Sequence, residues 1–130
     1  MKKIIFPLAV IAVVLLSCKS KSASNDQGTP QGVAETIFSA AKSGDFSKLK
    51  DLCNAALDPD GDSKKICEVT DGDEKLKTSF KEYFSTGKVV GDPVIEGDKA
   101  TVKVLFGPDG TKEETFNMAK KDGKWYMVSF

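Results

Sequence analysis

Three sets of residues in this 130-residue chain carry groups that could do chemistry. They are the thiols Cys18, Cys53 and Cys67, the acidic run Asp58-Pro59-Asp60-Gly61-Asp62, and carboxylates that the fold could bring beside Tyr83 or Tyr126. The chain contains no histidine, and all 19 of its basic residues are lysine. Without imidazole there is no usual general base near neutral pH and no His ligand for a metal. Ser-His-Asp and Cys-His catalysis and His-based zinc sites are therefore excluded. Without guanidinium there is no planar fork for bidentate grip on phosphate or guanine. The formal net charge of zero leaves no electrostatic footprint for nucleic acid.

Alternate aspartates in Asp58-Pro59-Asp60-Gly61-Asp62 match the opening of a calcium loop. The match then fails, with Ser63 where the loop needs glycine and Val69 where it needs glutamate. An acidic, solvated loop and no metal is the expectation. A lyase or isomerase would need a carboxylate raised in pKa by burial in an apolar cleft. Asp92, Asp98, Asp109 and Asp122 instead adjoin glycines at turns, and Glu113 and Glu114 lie among Lys and Thr. The reading is a non-catalytic protein without a cofactor; the alternative is a small lyase- or isomerase-like enzyme with a carboxylate in a helix–sheet cleft.

The elements that would position these groups are legible in outline. Thr29-Pro30 is a helix start, with Thr as N-cap and Pro at the first helical position. Val33, Ala34, Ile37, Phe38 and Ala41 follow at helical spacing, and Gly44 marks the end. Asp45 can cap a second helix carrying Phe46, Leu49, Leu52, Cys53 and Ala56 on one side. Asp58 to Asp73 reads as loop with at most one brief strand or helical turn. Asp73 can cap a third helix with Leu76, Phe80, Tyr83 and Phe84, stopped by Gly87. Beyond Lys88 the period changes to two. A strand bent at Gly91-Asp92-Pro93 precedes Lys99 to Phe106, Thr111 to Lys120 and Lys124 to Phe130, with Gly97-Asp98, Gly107 to Gly110 and Asp122-Gly123 as turns. Helices followed by a meander predict an α+β fold, N-terminal helices packed on a curved antiparallel sheet of about four strands.

At the N-terminus, Lys2 and Lys3 precede the apolar run Ile4 to Leu16, which contains Pro7 and is shorter than the ~20 residues of a membrane span. The boundary Leu15-Leu16-Ser17-Cys18 resembles the lipobox of bacterial lipoproteins, with Leu16 larger than the residue usual there. The resemblance implies a signal peptide over 1–17, cleavage before Cys18 and acylation of that residue, including palmitate or a similar chain. Residues 18–28 then read as the lipidated cysteine and a flexible polar tether, and 29–130 as one domain. No acidic cluster follows Cys18, which by the same resemblance implies the outer membrane, facing the periplasm. Assigning Cys18 to lipid leaves Cys53 and Cys67, separated by 14 positions in a compartment where disulfides persist. They are a bridge of about 3 kcal/mol or two buried free thiols.

Thr29-Pro30 to Ala41, Lys42-Ser43-Gly44-Asp45-Phe46, and the closing hairpin Lys120-Lys121-Asp122-Gly123-Lys124-Trp125 resemble small bacterial lipoproteins of an uncharacterised domain family. That family is grouped with the nuclear transport factor 2-like and cystatin-like folds. The resemblance implies a curved sheet around a long helix, with a conical pocket between them. Phe38, Phe80, Phe84, Phe116 and Trp125 are the candidate cleft walls, with core packing the more common role for most of them. On the last strand Trp125 and Met127 point one way and Tyr126, Val128 and Phe130 the other. Either this is a central strand covered by the helices and by the tail or loops, or the second set are interface candidates for an envelope protein partner or a homodimer. The expected role is a membrane-anchored envelope lipoprotein that binds a small apolar ligand or a protein partner.

Overall fold

The structure is a computed structural model and describes residues 27–130; the expected signal peptide, Cys18 and most of the tether lie outside the described residues. The fold is α+β, with three α-helices and several 3-10 turns preceding a five-stranded antiparallel sheet. Helix α1 spans Pro30–Ser43. The Thr29 hydroxyl accepts the Gly32 amide at 2.9 Å, and Gly44, at φ 78°, ends the helix with its N–H on the Ala40 carbonyl. Its apolar stripe of Val33, Ala34, Ile37, Phe38 and Ala41 is buried against the sheet and α3.

The expected second helix is not formed. Asp45 accepts the amide and hydroxyl of Ser47, so it closes a turn instead of starting a helix. These two bonds, with nearby Lys48, hold the Asp45 carboxyl below its ordinary range. Two 3-10 turns follow, Leu49–Leu52 and Ala55–Leu57. The break lies at Cys53 and Asn54, which are extended; the Asn54 side chain accepts the Ala56 amide and starts a new turn. Leu49 and Leu52 are buried, so the apolar spacing was real although the backbone was not one helix.

Helix α2, Gly61–Glu68, occupies the stretch read as loop, and a 3-10 turn at Val69–Asp71 continues it. Asp60 is its N-cap, accepting the Ser63 amide at 2.8 Å. Of its aspartate neighbours, Asp58 takes a left-handed φ of 50° and Asp62 pairs with Lys65 at 3.5 Å. Cys53 and Cys67 are joined by a disulfide, with Cα atoms 6.1 Å apart. It ties α2 to the segment after Leu52.

Helix α3 spans Glu74–Phe84, and the Asp73 side chain accepts the Leu76 amide at its start. Phe80 and Phe84 are buried, whereas Tyr83 is exposed. The strands are β1 Lys88–Val89, β2 Val94–Glu96, β3 Lys99–Phe106, β4 Lys112–Lys121 and β5 Lys124–Ser129. Both β1 and β2 pair with β3, so the anticipated bent strand is two short edge strands around Gly91, at φ 72°. Strand β3 pairs with β4, and β4 with β5. Asp122 and Gly123 both have positive φ, as a two-residue hairpin of the favoured hand requires.

One irregularity alters the predicted faces. Met118 is opposite Met127, but Asn117 is opposite Ser129, so one step on β4 spans two on β5. The extra residue is a bulge, and it inverts the alternation beyond it. Trp125 and Met127 face the core. Phe130 does not stay with Tyr126 and Val128 on the open face. Its ring instead lies 5.1 Å from Phe116 and 6.1 Å from Phe106. As an interface candidate Phe130 is therefore corrected to a partly buried core residue.

Gln27 also belongs to the folded part rather than to a tether. Its carbonyl accepts the Trp125 amide at 2.9 Å, and its side chain donates to the carbonyls of Asp51 and Trp125. The outer edge of β5 is thus covered in part by the incoming chain. Farther along that edge, the Val128 carbonyl accepts the Asp60 amide at 2.8 Å.

Candidate functional site: an aromatic groove between α2, α3 and the sheet

Seven phenylalanines, Phe38, Phe46, Phe80, Phe84, Phe106, Phe116 and Phe130, are linked by ring contacts. Phe84 is the hub: its ring stacks on Phe106 at 4.9 Å and 16°, lies 4.9 Å from Phe80, and meets Phe38 at 6.3 Å. Offset ring pairs of this kind add about 0.5–1.5 kcal/mol beyond their buried area. Two elements bring the hub to the surface. Helix α3 places Phe80 and Phe84 one turn apart on its inner side, and the sheet contributes Phe106 from the end of β3 and Phe130 from the end of β5. Helix α2 approaches from the other side with Ile66, and Val69 follows it.

Between them runs an open groove of about 410 Å³. Phe80, Phe84, Phe106 and Phe130 line its floor, with Ile66 and Val69 in one wall and Leu76 and Tyr83 in the other. The backbone secures one end, where the Gly107 amide donates to the Tyr83 carbonyl at 2.7 Å and the Thr86 hydroxyl to the Gly107 carbonyl at 2.7 Å. Charged groups stand only at the rim: Asp62 and Lys65 from α2, and Lys112 from β4. Lys112 Nζ lies 5.4 Å from the centroid of the Phe106 ring and 3.7 Å from Glu114.

Of the five aromatic residues expected to wall a cleft, Phe80 and Phe84 line this groove. Phe38, Phe116 and Trp125 are corrected to core positions. Phe116 packs between the rings of Phe38 and Phe106, and Trp125 is buried on β5. They fill the space between α1 and the sheet, where the conical pocket was expected. The groove lies instead beyond α3, at the sheet end that holds Phe106 and Phe130. Its carboxylate, Asp62, belongs to the exposed rim and is ion-paired with Lys65.

The wall from α2 was missed in the sequence, although Asp60 as a capping residue and the Ile66-to-Val69 spacing were available as helix signals. Tyr126 and Val128, the remaining interface candidates, are partly buried. Val128 borders a shallow hollow of about 420 Å³ on the open sheet face, with Val94, Thr101 and Asn117.

No family model and no curated protein matches the sequence. Among solved structures, the chain is similar to a Campylobacter jejuni protein described as a "Putative NTF2-like transpeptidase". The identity is 20%, the likeness covers 78% of this chain and 98% of that one, and the TM-score is 0.49. It extends to no residue's role.

Proposed function

We propose that this protein is a lipid-anchored envelope lipoprotein of the small α+β kind its motifs resemble, and that its folded domain is a non-catalytic binder of a small apolar ligand. The aromatic groove between α2, α3 and the sheet carries this reading. Its volume lies within the range of small-molecule sites, its surface is mainly apolar, and its few polar groups are gathered at the edge. The anchor would be the acylated Cys18, and the expected setting is the periplasmic side of the outer membrane.

The test is binding of the neutral fluorophore N-phenyl-1-naphthylamine to residues 18–130 carrying Cys18→Ser, which lack the apolar run Ile4 to Leu16, purified without detergent. Fluorescence should rise saturably at micromolar probe. Ser79 is an exposed residue on the groove's edge, so Ser79→Trp should fill the mouth while leaving the core intact. That variant should lose most of the signal. An equal signal from wild type and Ser79→Trp would reject the groove as the binding site.

A further inference from the structure

The rim of the groove names the ligand's other end. Three charged residues line it, Lys65, Lys112 and Asp62, and Glu114 stands beside Lys112, so two ammonium groups meet two carboxylates. Neither lysine is tightly held. Lys65 reaches Asp62 at 3.5 Å with both side chains more than half exposed, and Lys112 reaches Glu114 at 3.7 Å. These separations exceed the ~2.7–2.9 Å of a charge-assisted hydrogen bond. Exposed pairs of this sort are also weak competitors for an incoming anion.

The two ammonium groups therefore border an apolar floor while retaining donors for a further acceptor. Lys112 stands over the Phe106 ring, so its charge lies beside the groove's aromatic surface. An apolar chain laid along Phe80, Phe84 and Phe130 would bring its end group to the rim lysines.

Resting on the groove reading above, we propose that the ligand is a fatty-acid-like amphiphile, one apolar chain with a single carboxylate head, held by Lys65 and Lys112. The head group must displace Asp62 from Lys65 and Glu114 from Lys112, and both of those pairs are long and solvent-exposed. Asp62 is a built-in competitor for Lys65, so it limits how tightly the head is gripped.

The experiment compares dodecanoate with dodecanol, below their aggregation limits, as displacers of N-phenyl-1-naphthylamine from residues 18–130 carrying Cys18→Ser. Dodecanoate should bind about tenfold more tightly than the alcohol. Lys65→Gln with Lys112→Gln should reduce that advantage to about twofold. Asp62→Asn should tighten dodecanoate alone, and added salt should narrow the gap between acid and alcohol. Circular dichroism of each variant controls for folding. Equal affinity of acid and alcohol for the wild-type chain would overturn the carboxylate head while leaving an apolar groove in place. Displacement by neither compound would overturn both readings. An acid preference that persists in the double lysine variant would overturn the assignment of the two lysines.

Discussion

Gly87 shows how one missing side chain sets a contact. A Cβ at this position would overlap the ring of Phe38, whose face closes the core between α1 and α3. The requirement is closeness, not an unusual backbone angle, and the Gly87 amide also ends α3 by donating to the Phe84 carbonyl at 3.0 Å. Because Phe38 packs on both Phe84 and Phe116, it has little room to yield. Gly87→Ala should therefore cost about 1–3 kcal/mol, as overpacking of a filled core does. For a domain of this size that is a fall in melting temperature of roughly 4–8 °C for each kcal/mol. An unchanged thermal midpoint would show that the two segments can separate freely. The same crowding explains why Phe38 and Phe116 are unavailable to a ligand whereas Phe84, one ring away, borders open space.

At the level of elements, α2 is the least self-sufficient piece and the one most dependent on a covalent tie. It has eight residues and buries only Ser63, Ile66 and Cys67. An isolated helix this short is unstable in water. The Cys53–Cys67 bridge, the Asp60 cap and the bond from Asp60 to the Val128 carbonyl hold it against the sheet. Closing a loop of this length is worth about 3 kcal/mol in the chain-entropy model. Reduction followed by alkylation should lower stability by about that amount, and hydrogen exchange should show the amides of Ile66 and Cys67 losing protection before those of β3 and β4. Equal unfolding midpoints for the oxidised and the reduced, alkylated protein would contradict this role. Helices α1 and α3 were legible because a cap, a stripe and a stop coincide in each, and β3 because its alternation is unbroken. The stretch from Phe46 to Asp71 was not. Its apolar residues have helical spacing, but Asp45, Asn54 and Asp60 each engage a nearby backbone amide and restart the chain. The bulge in β5 was equally hidden, since nothing in Met127-Val128-Ser129 advertises an extra residue. For that reason Phe130, and with it part of the groove floor, was expected on the wrong face.

Across the whole molecule, the sheet presents two unlike surfaces. The inner one is the apolar core. The outer one, read through the strand register, runs Glu96–Lys99–Ala119–Tyr126 in one row and Val94–Thr101–Asn117–Ser129 in the next. Tyr126 thus shares its row with a lysine and a glutamate, which thins the apolar patch expected around it. The proposed attachment is tested on the intact protein in cells. Metabolic labelling with a palmitate analogue should mark the wild-type chain and bring it down with membranes, and Cys18→Ser should abolish the label. Label retained by that variant would remove Cys18 as the acylation site.

Gln27 grips the start of β5 at Trp125, whereas the groove borders Phe130 at the far end of the same strand. The two points are separated by roughly 17 Å of extended backbone. In the protein anchored as proposed, a pull through the leading segment would first load the bonds of Gln27 to Trp125 and Asp51. Under the proposed anchor and ligand, load would enter β5 at Trp125 and the ligand would lie at the Phe130 end of the same strand.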